Sequence, residues 1–341
     1  MEDPMHVPAI LDCSPHADAL EALRAELPAL PRADLGAFFT RAAALSDALP
    51  APIRDTLAAF RARGNEGGYL LLRGLPLDPD ALPDTPEHWP PPPERTLLQT
   101  EAWVALIGMR MGVATGYDRN RSGAPLQDVF PSRDAKTMIA SEHSMTSHGY
   151  RDALRYHTEL AYLTAQPNYV ALGCSRADHE GRAGTPVISV RRIVKRLSAA
   201  HQDVLRSVPL TWRVDDLFKT AEQPDPQTRL RLLFDNDDRI RYDGRLIECE
   251  AGSAAHEALE AFMAAIEETQ EILYLKPGDV LVFDNHRTSH SRTRYEPRFD
   301  GKDRWLTRLF IREPGAGHAA RLRQAEVVGF EVRPPEAVLA G

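Results

Sequence analysis

From about residue 167 to residue 311 the chain falls into short apolar runs separated by turn-forming residues. Tyr169–Cys174, Thr185–Val190, Leu210–Val214, Arg229–Phe234, Ile272–Leu275, Val280–Phe283 and Trp305–Ile311 each have the length and composition of a strand. Helical stretches near 191–207 and 254–270 interrupt the series, and Pro277-Gly278-Asp279 is a turn feeding one strand. Many short strands with regular turn signals bury their apolar faces by closing into a β-sandwich or jelly roll.

The N-terminal part reads differently. Residues 17–63 carry helical spacing that Pro28, Pro31 and Pro50 break into short helices. Gly68–Leu75 is an apolar run between glycines and suits a buried strand. The proline-rich stretch from Pro79 to Pro93 reads as an irregular surface loop, too short to link independent domains. Residues 96–112, with Leu97, Leu98, Trp103, Leu106, Ile107 and Met111, read as a helix. A chain of 341 residues accommodates one large domain or two ordinary ones. The reading here is one domain over 1–341, with a helical N-terminal part at about 17–112 and a mainly β core at about 125–312.

A net charge of -8 supplies no basic field for phosphate backbones, so nucleic acid is not expected as a partner. No apolar run approaches the length of a membrane span, and the acidic N-terminus lacks an apolar signal core, so the expectation is a cytoplasmic protein without a membrane partner. Cys13, Cys174 and Cys249 are widely spaced, with no Cys-x-x-Cys, and read as small buried hydrophobes in a reducing compartment.

Non-haem Fe(II) oxygenases bind the metal with two His and one carboxylate on one face. Locally the pattern is His-x-Asp/Glu. On an extended segment residues i and i+2 share a face, whereas a helix splays them. His16-Ala-Asp18 and His201-Gln-Asp203 lie in helical context and read as solvated. His157-Thr-Glu159 lies before the strand series. Alone it reads either as a ligand pair or as a satisfied polar dipeptide. The segment Gly278–His290 adds a strand that brings His286 and His290 near its end. Arg304 follows His290 by fourteen residues, at the head of another apolar strand. Period-2 alternation puts Arg304 and Arg308 on one face with Leu306 and Phe310, and the opposite face is also largely apolar. A strand covered on both faces buries its arginines, and each then needs an anion. That anion is an internal Asp or Glu, or the carboxylate of a bound acid.

At these residues the chain resembles clavaminate synthase and the related Fe(II)/2-oxoglutarate-dependent amino-acid hydroxylases. The matching stretches include Pro31–Leu35, Tyr69–Pro76, Thr115–Tyr117, Arg121–Gly123, Asp128–Ser132, His157–Tyr162, Gln166–Val170, Cys174–Glu180 and Gly301–Leu306. The resemblance runs from about residue 20 to 312. It implies an α+β fold with a double-stranded β-helix (jelly-roll) core and flanking helices, dependent on Fe(II), 2-oxoglutarate and O2. It implies His157, Glu159 and His290 as the metal and catalytic set, and Arg304 with Thr185 at the distal carboxylate of 2-oxoglutarate. Arg308 is implied at the carboxylate of a small amino-acid substrate, with Ser147 and Gln127 as polar contacts and Glu159 alongside them. His286 is not a carried-over ligand.

The arginine hydroxylases of that family present an Asp-x-Asp pair to a guanidinium. The matching stretch here is Ile240-Arg-Tyr-Asp243, so Arg241 replaces one acid and Asp243 keeps the other. One Arg and one Asp suit a neutral ureido group. L-citrulline is therefore the first expectation and L-arginine the second, in specialised-metabolite (antibiotic) biosynthesis; the other reading of Arg241 is an outward-facing residue. The acidic run Asp235, Asp237 and Asp238 reads as a solvated turn. Two alternatives stand beside hydroxylation: oxidative cyclisation or desaturation of the clavaminate synthase kind, and a catalytically inactive jelly-roll binding protein.

Overall fold

The computed structural model describes residues 7–92, 95–117, 120, 123–134, 153–163, 165–215, 219, 221, 224–234 and 238–313. Helices form at Ala17–Ala25, Leu35–Ser46 and Ala51–Arg63, with the anticipated prolines in the breaks or at a helix start. Asp34 caps the second through Ala37 N at 2.8 Å, satisfying a backbone donor that the first turn leaves open. The fourth helix, Gln99–Met111, is buried along most of its length and packs against the second.

A large sheet places the strands in the order Ile10–Asp12, Tyr69–Arg73, Val280–Asp284, Tyr169–Arg176, Trp305–Arg312 and Val113–Ala114, and Leu126–Val129 also pairs with Trp305–Arg312. A four-stranded sheet has the order Glu271–Leu273, Thr185–Ser189, Thr288–Arg292 and Leu154–His157. Alternation divides the large sheet's side chains between two cores. Leu70, Leu72, Ala171, Val282, Leu309 and Ile311 pack against the helices. Leu71, Leu172, Phe283, Leu306 and Phe310 share the other core with Val187 and Leu273 of the smaller sheet. This is the expected jelly roll with flanking helices, and it covers Trp305–Arg312 on both faces.

Three expectations need correction. Arg229–Phe234 is two strands, because Gln227–Leu230 pairs with Leu210–Arg213 while Leu233–Phe234 pairs with Arg239–Ile240. His290 does not end the Val280–Asp284 strand. It lies mid-way along a separate strand of the other sheet, after a turn in which Arg287 N and Thr288 Oγ1 both donate to Asp284 O. Cys249 is only half-buried, although Cys13 and Cys174 are buried and all three are free. Strands Ile10–Asp12, Leu126–Val129 and Leu154–His157 carry too few consecutive apolar residues to be seen by pattern. Gly278, in the predicted turn, takes φ +88°, and a Cβ there would lie 2.5 Å from Leu75 O. No helix among the described residues is long and apolar enough to cross a membrane.

A buried ion network ties the helical layer to the sheet. Arg32 reaches Glu101 and Asp128, both at 2.9 Å, and Arg95 reaches the same acids at 2.8 and 2.6 Å. Trp305 Nε1 donates to Asp128 at 2.9 Å. Asp128→Ala leaves two guanidiniums sharing Glu101 alone and strands the buried indole N–H. Its unfolding free energy, read from the urea midpoint, is expected to fall by about 3 kcal/mol. Asp128→Asn keeps an acceptor for Trp305 and is expected to cost less.

Candidate metal centre

His157 ends the edge strand Leu154–His157 and stands directly opposite His290 in the antiparallel register. The two imidazole centroids are 4.5 Å apart. His157 Nδ1 lies 2.9 Å from Arg155 O, which accepts its proton and leaves the Nε2 lone pair facing the site. The His290 ring stacks on Phe283 at 4.7 Å, and its buried Nδ1 has no hydrogen-bond partner among the described residues.

Beyond His157 the chain leaves the sheet and is held by two other segments. Thr158 N donates to Tyr242 O at 2.7 Å, and His157 forms an isolated antiparallel bridge with Asp243. Glu159 N donates to Asn285 Oδ1 at 2.8 Å, and Asn285 Nδ2 donates back to Glu159 O at 3.1 Å and to Pro167 O at 3.0 Å. One side chain thus satisfies both backbone groups of Glu159, from the turn that leads to His290. Leu160 follows at φ +54°, a conformation costly for leucine that the surrounding bonds must enforce.

Glu159 Oε1 lies 3.9 Å from His157 Nε2 and 3.8 Å from His290 Nε2, separations that two metal–ligand bonds of about 2.1 Å each can span. The three ligand atoms lie within 4.8 Å of one another, and all three residues are buried. Arg308 Nη1 donates to Glu159 Oε1 at 2.8 Å, while its Nε and Nη2 donate to Gln127 Oε1 at 3.1 and 2.5 Å. Burial pushes both imidazoles down, His290 to about 3, so they are neutral and ready to ligate at neutral pH. Burial acts to raise Glu159, but the neighbouring charges, Arg308 foremost, outweigh it and hold the carboxyl below its ordinary value.

Arg304 is 5% exposed, lies over the Tyr295 ring at 5.8 Å and makes no hydrogen bond or ion pair among the described residues. Thr185 Oγ1 is likewise buried without a partner. A buried guanidinium and a buried hydroxyl lacking acceptors fit an anionic ligand such as a carboxylate. The donor set and these open polar groups therefore fit Fe(II) and a dicarboxylic cosubstrate.

Arg241 Nη1 donates to Leu163 O at 3.1 Å, and the guanidinium lies over the Phe234 ring at 5.5 Å. Asp243 is buried and bonded to Arg245 at 2.7 Å. Asp238 pairs with Arg191 and Arg287, both at 2.6 Å. His286 is buried, with its ring against Phe234, and is not part of the ligand cluster. His201 and Asp203 lie on the helix Ala199–Ser207, where Asp203 pairs with Arg206, in keeping with a surface role. Ser147, Asp235 and Asp237 lie outside the described residues. Sequence reasoning missed Asn285 and Arg245; the Asp284–Arg287 turn and the Tyr242–Arg245 stretch were their only signals.

Two imidazoles and one carboxylate converging inside a jelly roll define a mononuclear non-haem iron site with open positions. The family model described as taurine catabolism dioxygenase TauD, TfdA family, matches residues 32–310. Clavaminate synthase 2 of Streptomyces clavuligerus is 42% identical over 328 residues, covering 95% of this chain and 98% of the relative. L-asparagine oxygenase of Streptomyces coelicolor is 31% identical over 264 residues, covering 77% of each. A solved structure of asparagine oxygenase in complex with Fe(II), 2S,3S-3-hydroxyasparagine and succinate superposes with a TM-score of 0.78 at 29% identity, covering 89% of this chain and 93% of that one. The chain belongs to the TauD/TfdA dioxygenase family and is an Fe(II)/2-oxoglutarate-dependent dioxygenase.

Two outcomes follow from this geometry. Asn285→Ala removes both Asn285 bonds to the Glu159 backbone, leaving only the Gln166 Nε2 donation to Glu159 O at 3.2 Å, and the Fe(II) dissociation constant is expected to rise by about 10- to 100-fold while near-UV circular dichroism is retained. The depressed His290 gives the metal-free protein a pH dependence of known sign. Below the unfolded histidine pKa of about 6.5 the unfolded state binds the proton and the folded state does not, down to about 3. Stability contributed by the neutral imidazole is therefore complete above about pH 6.5 and falls, by about 1 kcal/mol per pH unit, as the pH drops below it. Urea midpoints between pH 7 and pH 5 are expected to fall more steeply for the wild type than for His290→Gln.

Proposed function

We propose that this enzyme hydroxylates an unactivated side-chain carbon of a free L-amino acid, with L-citrulline the first candidate and L-arginine the second. The observation that carries the proposal is Asp243, a buried carboxylate one backbone bridge from the metal ligand His157. A polar side-chain terminus seated there has its carbon chain next to the metal. Arg241, bonded to the carbonyls of Ala161 and Leu163 just beyond Glu159, adds a positive charge to the same wall. An acid and an arginine together suit the C=O and N–H groups of a ureido terminus better than they suit a cation.

In this reading His157, Glu159 and His290 hold Fe(II), and Arg304 and Thr185 hold the distal carboxylate of 2-oxoglutarate. Arg308, already oriented by Gln127 and Glu159, receives the substrate carboxylate, and Ser147 adds a polar contact. Bound Fe(II) and 2-oxoglutarate supply the activation of O2 for C–H oxidation, with succinate and CO2 released. The protein's own contribution is alignment of the substrate and exclusion of water by the apolar wall of Phe283, Leu306 and Phe310. The amino-acid relatives support the substrate class, and the antibiotic-type chemistry implied by clavaminate synthase supports a place in specialised metabolism.

The extent of identity with clavaminate synthase 2 favours a second reading, oxidative cyclisation or desaturation. Product mass separates the two, since hydroxylation adds one oxygen and desaturation removes two hydrogens. Anaerobically prepared enzyme would be assayed with Fe(II), 2-oxoglutarate and citrulline, arginine, ornithine, lysine or asparagine, reading succinate and product mass together. Citrulline is expected to be the best substrate, and Arg241→Asp is expected to move preference toward arginine. Better turnover of arginine by the wild type would remove the ureido argument. Arg304→Gln is expected to raise the KM for 2-oxoglutarate by at least about tenfold with Fe(II) affinity unchanged.

A further inference from the structure

We propose that Arg245 is the residue that sets substrate charge preference, by cancelling the charge of Asp243 so that the pocket selects neutral over cationic side chains. The inference rests on the amino-acid reading above and names a residue outside the Arg241/Asp243 pattern.

Arg245 contacts Asp243 three times. Its backbone N donates to Asp243 Oδ1 at 3.1 Å, its Nε to the same oxygen at 3.1 Å and its Nη2 to Oδ2 at 2.7 Å. The pair is largely buried, with side-chain exposures of 11% for Arg245 and 4% for Asp243. Asp243 faces inward: it bridges His157, and its charge acts on the His157 imidazole as well as on the Tyr162 hydroxyl. Burial first, and then the charges of Asp215, Asp243 and Glu159, oppose ionisation of Tyr162, while Arg245 favours it. Arg245 and Asp243 thus form a largely buried ion pair one backbone bridge from the metal ligand His157.

A carboxylate so engaged is a poor counter-ion for a second guanidinium or an ammonium. An incoming cation would meet the like charge of Arg245 at short range in a site of low dielectric. A ureido or carboxamide group meets no such penalty. Its carbonyl accepts from Arg245 while its N–H donates to Asp243. The short spacing from Asp243 to Arg245, closed by the backbone bond, holds the arginine beside the acid without any third element.

The test compares wild type, Arg245→Gln and Arg245→Lys. Fe(II) affinity and near-UV circular dichroism serve as controls for folding. Relative kcat/KM for L-arginine and L-citrulline is one readout. Direct binding of the same two amino acids to the anaerobic Fe(II)·2-oxoglutarate enzyme is the other. Arg245→Gln is expected to move the arginine-to-citrulline ratio toward arginine by at least about tenfold in both readouts, and Arg245→Lys is expected to restore the wild-type preference. Should Arg245→Gln fail to fold, Asp243→Asn takes its place. It leaves the arginine unopposed and is expected to move the binding ratio the other way. A wild type that oxidises none of the amino acids overturns the substrate reading alone, because binding still reports on the pocket charge. An unchanged binding ratio, or no binding of arginine by Arg245→Gln, overturns the role of Arg245.

Discussion

The metal centre depends on one cross-strand contact. His290 and His157 stand opposite each other where Thr288–Arg292 pairs with Leu154–His157. Register along this ladder is stringent, because a shift of one residue would turn an imidazole to the other face of the sheet. The fold protects the register from both sides. Thr185–Ser189 pairs along the far edge of the His290 strand, and the Asp284–Arg287 turn fixes where that strand begins.

Glu159 is outside the ladder, so its position needs separate support. Asn285 supplies it by offering a side-chain donor and acceptor to the Glu159 backbone, as a neighbouring strand would. Since Asn285 lies five residues before His290, one turn locates two of the three ligands. Arg308 completes the arrangement from the opposite sheet. Its bond to Glu159 joins the metal centre to the strand that Arg304 immediately precedes. The Arg32–Glu101–Asp128–Arg95 network anchors that strand to the helical layer through Trp305. Helices remote from the chemistry thereby hold the wall on which cosubstrate and substrate carboxylates would sit.

Spacing offered His157 and Glu159 as a candidate pair, and the family resemblance supplied the rest of the set. His157, Glu159 and the distant His290 did converge, although the strand ends at His157 and Glu159 is carried by the turn beyond it rather than by extended chain. Leu306 and Phe310 did share a core on one face of Trp305–Arg312 with Arg308 over the Phe310 ring, whereas Arg304 precedes the strand and a register shift between Trp305 and Leu306 interrupts the alternation. His201 and Asp203 do lie on one helix, while His16 ends a 3-10 turn just before the helix that carries Asp18. The strand bearing His290 was not legible, because Thr288-Ser-His-Ser-Arg292 contains no aliphatic residue. Its burial comes from being sandwiched between two other strands rather than from its own hydrophobicity. Leu154–His157 was missed for a related reason: as an edge strand it buries only part of its side chains, and little apolar periodicity remains to read.

By itself the sequence determined the architecture and the donor types. Alternation and turn residues point to a closed β core, and the family resemblance carried by the matching stretches names the histidines, carboxylate and arginines that the chemistry requires. Only the tertiary structure decided how those groups pair. That Asn285 grips the Glu159 backbone and that Arg308 pairs with Glu159 are outcomes of close approach. Hydrogen bonds and buried charge pairs act over a few ångströms, and residues remote in sequence reach that range only when two sheets close over one another.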